Sequence, residues 1–594
     1  MLKYPFSGYK IKKSAGPYIP LPNSLSFHPS PERITFLLAS SSKRIPKFAL
    51  GEFVVESSFP EIPPHNGRFP SGLKRRPPSK PMITCSMQSK AKHPILLLLS
   101  SVLLFAALLP MYGQEAPVSL RTRGSALQLV LGDEPFIILG GELANSSASS
   151  AQYMRERDTW RTLRENGLNT VLAPVYWELI EREEGKYDFS SVDSLLAGAR
   201  GEDLHLVLLW FGTWKNSMSC YVPHWMKKRF SSDYILARDA EGTPQEILSA
   251  LDNKALDSDR KAFSALVDHL REVDGEKGTV LMVQVENEIG MIPSAREHGK
   301  AADRLWRKSG GKDGDPYAEE RFQASLYAKY AEEVARAGKE RYDIPMFVNA
   351  ALDSRGRRPG QYPSGGPLPH LFDIWKAEAP SIDILSPDIY DPPFKAWVSK
   401  YSTPTNPLFI PEIRQCPENA ARVFYVLGKY SAIGFSPFSI DNSPEDTAPS
   451  YRLLSSFLPL IARKQSEGKA YGVLVDKEAP SDTLTIGDVK FICSHDGTIS
   501  WSPCHSDPSK WGEGAFLVLE MDEKDTFLFL GTGCVATMTP SDGKGRVGIL
   551  SIDEVRDSSL RPLRTLNGDE DHQGRHLRIP YGEVGAQLLR IYRY

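Results

Sequence analysis

Residues 279–290 read Thr-Val-Leu-Met-Val-Gln-Val-Glu-Asn-Glu-Ile-Gly. An apolar run that short, turning polar only at its end, has the pattern of a strand buried on both faces, as in a parallel sheet. Amphipathic stretches at 257–272 and 318–338 flank it at helical spacing. The unit repeats in both directions. Strands are expected at Pro135–Gly141, Leu168–Pro174, Leu204–Phe211, Thr279–Asn287, Ile344–Ala350, Ile382–Pro387, Pro407–Pro411 and Ala432–Phe438, with further helices at Gln152–Asn166 and Glu418–Lys429.

Eight βα units close most naturally into an α/β (β/α)8 TIM barrel, here over residues 115–465. A doubly wound open sheet is the weaker alternative, because no Gly-rich GxGxxG turn follows the first strand and no P-loop occurs. From about residue 466 the runs shorten, as in TLTIGDVKFICS, GAFLVLEMD and DTFLFLGTG, between Gly, Asp and Asn turns. They indicate a C-terminal all-β sandwich domain at 466–594. No fixed repeat indicates a solenoid or propeller.

The N-terminal end has a different composition. Residues 1–86 hold 14 Pro and 13 Ser, with 13 Lys+Arg against 4 Glu and no Asp, and show no sustained period. They read as a disordered upstream extension, translated sequence rather than native fold, with a basic leader as the alternative. Met87 (or Met82) then opens a segment with Lys90, Lys92 and an apolar run from Pro94 to Leu109, so 87–114 is expected to be a signal peptide. The run is shorter than the roughly 20 residues of a spanning helix, although an uncleaved anchor is the rival reading. Export to the periplasm or the cell exterior follows, with no stable membrane insertion after cleavage. No buried-core pattern is evident before Asp133.

The 594 residues carry 71 basic and 73 acidic side chains, and beyond residue 114 the balance is 56 to 69, a net charge of −13. Nucleic acid is therefore a poor partner. The six cysteines form no CxxC pair, so neither a disulfide scaffold nor a metal site is expected; pairing of Cys493 with Cys504 stays open.

Chemistry in such a barrel sits at the C-terminal ends of the strands. There the fourth strand carries Glu288, after Asn287, and the seventh carries Glu412 in Phe-Ile-Pro-Glu. A lone Glu at a strand end is ordinarily just solvated. Two of them match the needs of glycoside hydrolysis, one carboxyl to protonate the leaving oxygen and one to attack or stabilise the anomeric centre. Trp177, Trp210, Trp214 and Tyr390 fall at other strand ends, where flat rings suit sugar C–H faces; each could equally be core. Glu142, Asn145 and Glu178 are candidates for sugar hydroxyl contacts, or satisfied structural groups. His224 reads as a rim residue, since no metal-binding spacing accompanies it.

On these residues the chain resembles glycoside hydrolase family 35, retaining exo-acting β-galactosidases. QVENEIG at 284–290 is similar to the family's acid/base motif, and FIPEIR at 409–414 to its nucleophile strand. The runs at 139–150, 171–181, 208–225, 386–390 and 434–438, with the tail at 564–580, resemble a bacterial branch with an extra C-terminal β-domain. The resemblance implies Glu288 as proton donor, Glu412 as nucleophile, Asn287 on the sugar 2-hydroxyl, and no cofactor. The substrate implied is terminal β-linked galactose on oligosaccharides or plant cell-wall side chains. One departure is Leu209–Trp214, where many members carry Cys-Ala-Glu-Trp, so galactose preference has less behind it than glycosidase chemistry. The alternatives are retaining hydrolysis of another β-glycoside, a glucoside or arabinoside, and a silent carbohydrate-binding protein. A homodimer stays open.

Overall fold

The computed structural model describes residues 114–353, 356–571 and 574–594. The upstream extension and, Gln114 apart, the signal-peptide segment lie outside the described residues. Among the described residues, no helix is long and apolar enough to cross a membrane.

Eight parallel strands form one sheet: β1 (Ile138–Leu139), β2 (Thr170–Tyr176), β3 (His205–Phe211), β4 (Val280–Gln284), β5 (Met346–Ala351), β6 (Ile384–Ile389), β7 (Phe409–Ile413) and β8 (Gly434–Pro437). Their order is β1-β8-β7-β6-β5-β4-β3-β2. The circle closes where Leu172 N donates to the Gly141 carbonyl at 2.9 Å and Leu143 N to the Leu172 carbonyl at 3.0 Å. This is the expected (β/α)8 barrel.

Several strands start later than the apolar pattern suggests, and the cause recurs. Asn or Asp side chains occupy ladder positions at the strand entries. Asn169 accepts from Leu139 N at 2.9 Å, Asp383 from Met346 N at 2.7 Å, and Asn406 from Leu385 N at 2.9 Å. The first expected strand divides. Glu134–Phe136 pairs antiparallel with Ala126–Leu131, which pairs with Val118–Arg123, and only Ile138–Leu139 enters the barrel. Val118, Leu129 and Val130 are buried, so core begins ahead of Asp133, contrary to the sequence reading. Alternation over so short a sheet is too brief to register as a period.

Among the helices, the expected Gln152–Asn166 helix is two, α1 (Ala151–Glu156) and α2 (Thr159–Glu165). Asp158 separates them at φ +52°, a left-handed conformation that Asp tolerates better than most residues. α3 (Asn253–Asp274) starts early because Asp252 caps the amides of Lys254 at 2.9 Å and Ala255 at 3.2 Å. α4 (Pro316–Lys339) is capped likewise by Asp315. α5 (Phe394–Tyr401) follows β6, and α6 (Asn419–Lys429) follows β7.

The C-terminal domain is all-β. One sheet holds β9 (Ala470–Val475), β12 (Gly514–Glu520), β13 (Thr526–Thr532), β18 (Gly585–Arg593), β15 (Val547–Glu554) and β16 (Arg564–Thr565) in that order. The other holds β10 (Ser481–Ile486), β11 (Val489–His495), β14 (Cys534–Pro540) and β17 (Leu577–Ile579). Phe491 of the second sheet meets Phe527 and Phe529 of the first at ring centroid distances of 4.9 and 5.5 Å, sealing a sandwich core. Cys493 and Cys504 are both free thiols.

The sandwich packs on α6. A Cβ on Gly428 would lie 2.2 Å from the Tyr471 carbonyl oxygen, and one on Gly472 2.5 Å from that of Tyr425, so helix and strand backbones approach as only glycine allows. Arg422 adds a two-point bond to Glu513, at 2.8 and 2.9 Å. Arg422→Ala is expected to cost about 2 kcal/mol, the scale of charged hydrogen bonds in a partly buried pair, and to show as an earlier urea midpoint. A midpoint equal to wild type would mean the pair adds nothing to the interface.

Candidate active site

Past Gln284 the backbone leaves the extended conformation, and this shapes the site. Val285 N still donates to the Phe347 carbonyl at 2.8 Å, but Glu286 adopts φ +61° and Glu288 φ +45°. Between them Asn287 N donates to the Trp214 carbonyl at 3.2 Å, and Glu288 N to Asn349 Oδ1 at 3.0 Å. The two glutamates consequently part company. Glu286 turns into the wall, where Oε2 accepts from Trp214 N at 2.7 Å. Glu288 is held by the Asn216 side-chain amide, with Asp388 beside it.

Glu412, within β7, accepts a hydrogen bond from the Tyr390 hydroxyl and has the Glu142 carboxyl beside it. Asp388 is its register neighbour on β6 and accepts from Asn349 Nδ2 at 2.6 Å. Lys215, in the loop after β3, is buried and donates to Asn287 Oδ1 at 2.9 Å, with its ammonium 4.8 Å from the Phe211 ring centroid.

Glu142, Glu288, Asp388 and Glu412 are all buried around this one lysine. So many carboxyls cannot ionise together in a low-dielectric site. Burial, and then the neighbouring Glu412, push Glu142 and Asp388 well above the carboxylate range. The same two causes, opposed by Lys215, raise Glu288 from 4.5 to about 7. Burial and the neighbouring Glu412 thus bias Glu142 and Asp388 towards their protonated forms, and Glu288 is a poised acid. Any turnover needing Glu288 protonated should fall as pH rises through about 7, and Glu288→Gln should remove that limb from the kcat/KM profile. An unchanged limb in the variant would assign it elsewhere. The sign for stability is the same. The folded state keeps a proton the unfolded chain releases near 4.5, so this contribution declines as pH climbs from 4.5 to about 7.

Several buried polar atoms here have no protein partner: Asn287 Nδ2, Glu142 Oε1, Glu412 Oε2 and Asp388 Oδ1. Buried polar groups are ordinarily satisfied, so these exceptions side by side mark this polar pocket as the candidate ligand site.

Of the residues singled out in the sequence, Glu288, Glu412, Glu142, Asn287 and Tyr390 come together. Asn145 lies near Glu142 in the chain, its Oδ1 buried without a partner and its carbonyl taking the Tyr176 hydroxyl at 2.6 Å. Glu178 stands apart, 3.4 Å from His224 and 3.8 Å from Lys227. The tryptophan expectations are corrected. Trp177 is bonded to Glu181 at 2.8 Å and Trp210 to Asp259 at 2.9 Å; both are fully buried, with no face for a sugar. Trp214 is also fully buried, against Tyr327 and Tyr330. Sequence reasoning missed Lys215, Asn216, Asn349 and Asp388. Three of them lie in segments quoted above (208–225 and 386–390), where aromatic residues drew the attention that charge in an apolar strand end should have received.

Two family models match parts of the chain. One, described as Beta-galactosidase, covers residues 151–332 and so includes Glu288 but not Glu412. The other, a domain of unknown function (DUF5597), covers 447–578. A beta-galactosidase of Xanthomonas manihotis is 28% identical over 219 residues, 35% of this chain, and the match spans 32% of that protein's length. Among solved structures, the catalytic domain of beta-amylase from Paenibacillus polymyxa has a TM-score of 0.41 at 13% identity, over 55% of this chain and 98% of its own. The beta-mannanase of the blue mussel Mytilus edulis has a TM-score of 0.37 at 16% identity, over 57% of this chain and 97% of its own.

Proposed function

We propose that this protein is an exported retaining glycoside hydrolase of the family 35 type, releasing terminal β-linked galactose from oligosaccharides or plant cell-wall side chains. The observation that carries the reading is the pairing of a buried Glu288 just past β4, its pKa raised to about 7, with a Tyr390-bonded Glu412 on β7. The match of the middle of the chain to the Beta-galactosidase model supports the substrate class.

In the first step Glu288 gives its proton to the glycosidic oxygen while Glu412 attacks the anomeric carbon, the C–O bond breaks, and the aglycone leaves as an alcohol. Asn287 Nδ2, fixed by Lys215 on its other side, donates to the sugar 2-hydroxyl. In the second step Glu288, now ionised, takes a proton from water, whose oxygen displaces Glu412 and restores both groups. Glu142 and Asp388 hydrogen-bond further hydroxyls of the sugar. No cofactor enters either step.

A panel of aryl β-glycosides followed by proton NMR tests this. Galactoside cleavage with the β-anomer as first product is expected. The α-anomer first would mean inversion, with a carboxyl separation of roughly 6.5–9.5 Å rather than 5–5.5 Å. Preference for a glucoside or arabinoside would keep the mechanism and replace the sugar, and cleavage of none would leave a binding protein.

A further inference from the structure

The segment joining β11 to β12, residues 496–513, interrupts the sandwich and is organised by one buried carboxylate. Asp496 accepts from Arg578 Nε at 2.6 Å, from Ser502 Oγ at 2.7 Å and from Tyr581 N at 3.3 Å. It thereby fixes the neighbour of Trp501, the strand end beside it, and Tyr581 together. Arg578 lies 4.5 Å from the Trp501 ring centroid, and Tyr581 packs 5.5 Å from His495, itself stacked on Trp511 at 4.7 Å. Despite this anchoring both rings reach solvent: Trp501 is 44% exposed and Tyr581 39%. All ten tryptophans are described, and Trp501 is the only exposed one.

Trp501 also stacks on His576 at 6.1 Å, so each ring offers solvent only part of its surface. Two partly exposed aromatic rings bordered by charged hydrogen-bonding groups suit a ligand with apolar faces and many hydroxyls. The acidic charge beyond residue 114 favours a neutral one. The same segment ends at Glu513, bonded to Arg422 of α6, the helix that follows the strand of Glu412, and Arg422 also lies 4.9 Å from the Phe394 ring at the start of α5, after β6. We propose that Trp501 and Tyr581 form a second carbohydrate-binding site, for the β-linked backbone of a neutral polysaccharide whose side chains the barrel trims. The inference rests on the glycosidase reading for its trimming step. Two linked sites on one polymer would raise the local concentration of side chains at the barrel.

The test uses the full chain carrying Glu412→Ala, run in native gels containing hydroxyethyl cellulose or a galactose-branched β-1,4-glucan. Retardation in both gels is expected. Adding Trp501→Ala and Tyr581→Ala should weaken it by about tenfold in Kd, the scale of a lost aromatic contact. Trp501→Phe, keeping a flat face, should restore much of it, and Tyr592→Ala, at another exposed tyrosine, should retain it. Equal retardation without the two rings, or none in either gel, overturns the site. Hydrolysis of an aryl galactoside by the wild-type chain is scored separately. Cleavage without retardation removes only the second site, whereas Trp501-dependent retardation without cleavage keeps it and removes the hydrolase reading.

Discussion

Glu412→Ala is expected to lose at least about 10⁴-fold in kcat on activated and natural glycosides alike, the scale seen when a covalent nucleophile is deleted. A good leaving group does not help when nothing attacks the anomeric carbon, so no burst of aryl alcohol should appear. The variant should fold well. Glu412 is the like-charged neighbour raising Glu142, Glu288 and Asp388. Removing it relieves repulsion among buried acids, so thermal stability should hold or rise. A folded variant within a hundredfold of wild type would assign the nucleophile elsewhere, with Asp388, its register neighbour, the first group to try.

Glu288→Ala is expected to divide substrates by leaving group. On natural oligosaccharides, where the departing alkoxide needs a proton, the loss should be about 10²–10⁴-fold, the range of general acid catalysis. On an activated aryl glycoside the first step should survive. The glycosyl-enzyme then accumulates, because water lacks its base, and KM falls with kcat. Added azide should restore turnover and yield a β-glycosyl azide. Equal failure on both substrates without azide rescue, in a folded variant, would remove Glu288 from the acid/base role.

What could be read from the sequence follows from what is local. Buried parallel strands are short unbroken apolar runs, so each of the eight was visible, and with them the ends that hold Glu288 and Glu412. The strand starts were not, because Asn169, Asp383 and Asn406 stand in for backbone across the barrel, a relation between residues distant in sequence. The same limit hid Asp388 and Asn349. Each is unremarkable in its own strand and acquires a role only through Glu288 and Glu412 on others. Tryptophans at strand ends misled for the opposite reason, because Trp210 looks like a pocket wall until Asp259 of α3 is seen to take its indole N–H.

The left-handed backbone at Glu286 and Glu288 bears on how activity arises during folding. A non-glycine residue disfavours that conformation by about 1–3 kcal/mol, so an isolated β4 hairpinless segment would relax to the extended form. What holds it is borrowed from elsewhere: Trp214 and Asn216 after β3, and Asn349 at the end of β5. This is local frustration resolved only by global agreement. A partly assembled barrel, however compact, would lack the acid in working position, and activity becomes a reporter of complete closure.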